Sequence, residues 1–115
     1  ATGPEKAEIR ALVDQMDAAA SAEDAARYYD LNLAFHDRLM EISRHGKSAE
    51  IYQSLVKEAH LFRRRSLLSP AAMRESNSEH ATMVAAIEAG DAASARTAAE
   101  KHHFHGKRRW LETLQ

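Results

Sequence analysis

The chain has 115 residues, a net charge of −1 with its histidines neutral, and no cysteine. That length fits one domain with a modest core. The near-zero charge excludes a global field that would draw it to nucleic acid, and the missing cysteine excludes disulfides and thiolate metal sites. No apolar run approaches the roughly 18 residues a membrane helix needs, and no signal-peptide pattern opens the chain, so the expectation is a cytoplasmic protein with no membrane partner. Two prolines and four glycines, most of them where helices would start or stop, point to an all-α fold.

In chain order, Ala1–Gly3 reads as a frayed end or a remnant of a longer chain. Pro4 suits the first turn of a helix to about Ala20, with Ile9, Leu12, Val13 and Met16 as its apolar stripe. Ser21 followed by Asp24 resembles a capping box and predicts a second helix through Arg44. Its buried stripe is Tyr28, Leu31, Phe35, Leu39 and Ile42, and Asn32 and His36, four apart, stack on one face beside that stripe. His45-Gly46 punctuates the chain. Ser48 can cap a third helix to Leu68, with Ile51, Tyr52, Leu55, Ala59 and Phe62 inward. Ser69-Pro70 restarts the chain as a short turn or helix, and Ser76 with Glu79 predicts a capping box for a helix carrying His80, Met83, Val84 and Ile87 on one stripe. Gly90 ends that helix and Asp91 caps the last one. Ala95, Ala98, Ala99 and His102 share a face of the last helix, which is expected to bend at Gly106 and pack Trp110 and Leu111 in its final turns. The expected architecture is a single domain over residues 1–115, an antiparallel bundle of five or six helices.

The hairpin at Gly90 organises the chemistry. His80 precedes Glu88 by about 12 Å of helix axis and His102 follows Asp91 by about 16 Å, so the two imidazoles return to one height, both pointing inward. His36 is a third histidine at the edge of a buried stripe, on a separate helix. A divalent transition metal takes three or four N/O ligands converging from such elements. Spacing alone leaves the plainer reading open, since a neutral imidazole packs well in a core when its nitrogens are bonded. His45 reads as a last-turn residue and His60 as support for a helix end or partner surface. His103 and His105 flank the His102 face, with His105 the weaker, local metal candidate.

The segments LNLAFHDRLMEIS at 31–43, Glu79-His80, MVAAIEAGD at 83–91 and the later His102 carry a resemblance. From about residue 5 to 112 the chain resembles the C-terminal effector domain (FCD) of FadR-type regulators in the GntR transcription-factor family. The resemblance implies an effector-sensing domain, not an enzyme, which dimerises and controls DNA binding through a winged-helix domain that this sequence lacks, along with the first family helix. In the metal-binding branch an Asp-x3-His and two later histidines hold a divalent metal, and carried over these positions are Asn32, His36, His80 and His102. Asn32 departs from the family's aspartate. A neutral amide leaves the full charge of the ion uncompensated, which weakens retention of the metal and strengthens its pull on an anion. The histidine-rich set leans toward zinc or nickel.

The resemblance further implies a small anionic metabolite, a carboxylate or phosphate type, lying on the metal and clamped by an arginine, since a cation with a guanidinium matches a bidentate anion. Arg65 is the first choice because it continues the Ile51, Leu55 and Phe62 face; Arg64 and Arg74 are the others. A solvated basic turn favoured by the helix dipole is the competing reading of the triplet Arg63–Arg65. Lys107, Arg108 and Arg109 suggest phosphate contacts or, as the preferred reading, solvated charge in a last helical turn. Two alternatives stand: a helical-bundle metalloenzyme with water on the metal, and a metal-free dimerisation module. Against the enzyme, Glu79 points about 100° away from His80 on its helix and reads as a cap.

Overall fold

The computed structural model describes residues 2–45 and 69–112. The expected third helix, Gly46, His60 and Arg63–Arg65 lie outside these residues, as do the side chains of His45 and Trp110. The described residues form four helices and no strand: α1 (Gly3–Ser21), α2 (Ala25–His45), α3 (Pro70–Glu88) and α4 (Ala92–Glu112). The protein is all-α, as its composition and periodicity imply.

The start of the chain is more ordered than its sequence position suggests. Thr2 caps α1, its hydroxyl accepting from the Glu5 N–H while the Glu5 carboxylate accepts from the Thr2 N–H, and Pro4 sits in the first turn. Ser21 does not cap α2, because α1 runs through it. The cap is Asp24, whose carboxylate accepts from the Arg27 N–H.

The corner before Asp24 and the corner before Asp91 are built alike. Glu23 N–H bonds Ala20 O and Asp24 N–H bonds Ala19 O; Gly90 N–H bonds Ile87 O and Asp91 N–H bonds Ala86 O. Both are Schellman turns, which need one residue in the left-handed region. Gly90 (φ 71°) meets that need without a Cβ, whereas Glu23 (φ 55°) carries one. Asp91 then caps α4 as expected, accepting from the Ser94 N–H at 3.0 Å.

The Ser76–Glu79 box does not form. Ser69 caps α3 through the Ala72 N–H, Pro70 follows it, and the helix continues unbroken to Glu88. Ser76 is buried inside it. Two capping signals lie seven residues apart here, and the one with proline behind it wins because its first-turn φ is already helical. α4 likewise runs through Gly106 as one helix, and Leu111 is 46% exposed, so it does not pack as expected.

Hydrogen bonds between the elements fix their directions. Arg38 of α2 pairs with Glu8 near the start of α1, and Arg10 of α1 pairs with Glu88 at the end of α3. Asn77 donates to the Val13 carbonyl. α2 and α3 therefore both run antiparallel to α1 and parallel to each other, while α4 returns antiparallel along α3. Such exposed ion pairs contribute little energy; the apolar stripes do the holding. Ile9, Val13 and Met16 of α1 face Tyr28, Phe35 and Leu39 of α2, Met73, Met83 and Val84 of α3, and Ala95 and Ala99 of α4, all in one core. Each fully buried large side chain in it contributes about 1.5–3 kcal/mol relative to exposure.

Candidate metal centre

Three histidines from three helices meet in that core. His36 (α2), His80 (α3) and His102 (α4) are 1, 0 and 0% exposed. The rings of His36 and His102 stack with centroids 5.4 Å apart, and His80 meets each edge-on at 5.3 and 4.5 Å. Each ring brings one nitrogen to within 4.8 Å of the other two. The three helices were individually legible, and their convergence follows from α2 and α3 running parallel while α4 doubles back.

The outer nitrogens of two rings are already fixed. Asn77 donates its amide to the Val13 carbonyl, which turns its oxygen toward His80 Nδ1 at 3.1 Å. An amide oxygen only accepts, so His80 Nδ1 carries the proton. Glu79 Oε1 stands 2.6 Å from His102 Nδ1. Burial pushes the Glu79 carboxyl up, but hydrogen bonds and charge from His102 and Arg109 outweigh it and hold its pKa at about 2. Glu79 is therefore ionised and accepts, and His102 Nδ1 donates. The His80 ring then presents an Nε2 lone pair, as does His102 once its own Nε2 carries no proton, and the two Nε2 atoms lie 3.1 Å apart. Two lone pairs at that separation repel unless a cation lies between them. Protonation is opposed at His80, whose pKa is driven well below 6.5, first by burial and then by the charges of His102, His36 and Arg109.

Glu79 departs from its expected role as a cap. It does not cap α3; it receives His102 Nδ1, His105 Nδ1 at 3.0 Å and both terminal nitrogens of Arg109 at 2.7 and 2.9 Å. Its offset of about 100° from His80 aims it at α4, which packs along that side of α3. Arg109, expected to be solvated, is 6% exposed and bridges Glu79 and Glu75. The signal was its register: Ala95, Ala99, His102, Gly106 and Arg109 form one buried stripe of α4. His105, the local metal candidate, points its Nδ1 at Glu79.

Asn32 is 2% exposed, one turn before His36, and its amide oxygen has no hydrogen-bond partner. Arg74 is exposed on α3; Arg64 and Arg65 lie outside the described residues. The donor set fits a divalent transition ion: three buried imidazoles, two of them held in the tautomer that frees Nε2, and one unpartnered amide oxygen.

A family model described as the FCD domain matches residues 1–105. The chain belongs to the FCD domain family. Neither the curated proteins nor the solved structures contain a match to it. FCD domains are the effector-sensing parts of GntR-type transcription regulators, which are generally not enzymes, and that is the class of this chain. No helix among the described residues is long and apolar enough to cross a membrane.

Proposed function

We propose that this FCD domain senses a small anionic metabolite, a carboxylate, at a divalent metal held by His36, His80, His102 and Asn32, and thereby controls DNA binding by a winged-helix domain of the same regulator. The observation that carries the reading is the pair of Nε2 atoms 3.1 Å apart, each on a ring whose Nδ1 proton is already engaged. Asn77 and Glu79 are the outer partners that orient ligating imidazoles and raise their basicity. When bound, the ion supplies a Lewis-acid anchor for a carboxylate oxygen. The ligand set is neutral, so the anion is attracted by the full charge of the ion, tempered by Glu79 behind His102. Zinc or nickel suits three imidazoles.

A guanidinium clamp on the anion is assigned to Arg65 first, with Arg64 and Arg74 as the other choices. The protein acts as a cytoplasmic homodimer in this reading. A metalloenzyme is disfavoured because Glu79, the carboxylate next to His80 in sequence, is engaged by His102, His105 and Arg109. Stabilisation of the zinc-loaded chain by small carboxylates, without turnover of generic esters or phosphates, tests the reading; turnover would favour the enzyme.

One observation favours a second reading. The 2.6 Å contact from Glu79 also suits a protonated His102 that donates Nε2–H to His80. His80 and His102 would then be a proton-sharing pair in the core of a metal-free dimerisation module, and metal analysis separates the two.

A further inference from the structure

The paired helices α3 and α4 each bring a charged side chain along with an imidazole. α3 carries Glu79 beside His80, and α4 carries Arg109 two turns beyond His102 on the same buried stripe. The two charges meet. Glu79 Oε1 accepts from His102 Nδ1 at 2.6 Å and from Arg109 Nη2 at 2.7 Å, and its Oε2 accepts from Arg109 Nη1 at 2.9 Å. The same Nη1 donates to Glu75 Oε1 at 2.8 Å. A chain of contacts therefore runs from the half-exposed Glu75 through the buried Arg109 and the largely buried Glu79 to His102.

The consequence for a bound cation is electrostatic. A carboxylate behind a ligating imidazole strengthens it by lending negative charge through the Nδ1–H bond. Here the oxygen that faces His102 is shared with a guanidinium, whose fork holds both carboxylate oxygens in the strong bidentate geometry. Arginine keeps its proton at any working pH, so this withdrawal of charge is permanent. The guanidinium also sets a positive charge one carboxylate away from the ring, where a low dielectric strengthens its repulsion of a second cation. Both effects act against a metal. Arg109 is also the counterion of a largely buried carboxylate. That structural role alone predicts the opposite outcome when Arg109 is removed, a loosened site that holds metal less well.

We propose that Arg109 is a positioning residue that lowers metal affinity by drawing off the charge of Glu79, and so keeps the ion exchangeable. This rests on the metal reading above. The test is zinc affinity of the full chain by competition with a chromogenic chelator, with the zinc dissociation rate read alongside. Arg109→Met should bind zinc about tenfold more tightly and release it more slowly, and the gain should shrink in a Glu79→Gln background. Arg109→Lys, which keeps the charge, should keep the native affinity. Equal or weaker zinc binding in a folded Arg109→Met, or a gain undiminished in the Glu79→Gln background, overturns the proposal and leaves the metal reading intact. Where Arg109→Met does not fold, Glu75→Gln decides. It leaves Arg109 to Glu79 alone and should weaken zinc binding about threefold; unchanged or tighter binding overturns the proposal. A native chain that takes up neither zinc nor nickel ends the metal reading, and this one falls with it.

Discussion

Glu79 Oε1 and His102 Nδ1 lie 2.6 Å apart, and this contact decides the direction in which the His102 ring offers its lone pair. The same carboxylate holds Arg109 with two nitrogens, so the end of α4 is tied to the imidazole cluster through one side chain of α3.

Removing that carboxylate should therefore act on metal and fold separately. Glu79→Gln keeps an acceptor but loses the charge, and metal affinity should fall about 10–100-fold, read by competition with a chromogenic chelator. Glu79→Ala leaves the buried Arg109 with Glu75 alone and should lower stability by about 3 kcal/mol in a denaturant titration. An unchanged affinity in Glu79→Gln would detach Glu79 from the site.

Acid should weaken the metal-free protein in two windows. His80 has a folded pKa below its ordinary 6.5, so its contribution is fully present above 6.5 and is lost as pH falls below that value. Glu79 has a folded pKa of about 2 against an ordinary 4.5, so its contribution is present above 4.5 and is lost as pH falls through 2. The second loss is at most about 3 kcal/mol. Melting temperature should be flat from pH 8 to 7 and decline below about 6.5, with a shallower decline in His80→Leu. Metal affinity should fall over the first window too, as protons compete for the imidazoles.

Asn32→Asp restores a carboxylate beside His36 and lowers the net charge of the donor set. Metal binding should tighten by at least about tenfold, consistent with the stronger pull of an ionised oxygen, while affinity for carboxylate ligands should drop. Equal metal affinity in the two proteins would remove Asn32 from the ligand set.

The two Schellman corners give a backbone prediction. Glu23→Gly relieves a left-handed Cβ and should stabilise the fold by up to about 1 kcal/mol. Gly90→Ala introduces that strain and should destabilise by a similar amount, although a Cβ at Gly90 meets no heavy atom within 4 Å. Paired thermal melts of both variants check the sign.

The apolar stripes and the Gly90-Asp91 corner were readable in the sequence because helical periodicity and left-handed glycine are local properties. His80 and His102 could be placed at one height from helix rise alone. Glu79 and Arg109 could not be placed so easily: a Ser-x-x-Glu spacing and a Lys-Arg-Arg run look like surface signals until the neighbouring helix is known. Ser21 and Ser76 failed for a related reason, since a capping hydroxyl is legible only if the helix before it has ended, or the helix itself has not yet begun. The vacant hydrogen-bonding capacity of Asn32 and Ser76 is a property of packing and has no local signature.

Metal content of the purified full chain by mass spectrometry, alongside His80→Ala, decides whether the three buried imidazoles hold a metal. About one zinc or nickel per chain, lost in the variant, is the expected result. No metal in either protein, even after both ions are added, would contradict this and leave His36, His80 and His102 as packed core residues of a metal-free module.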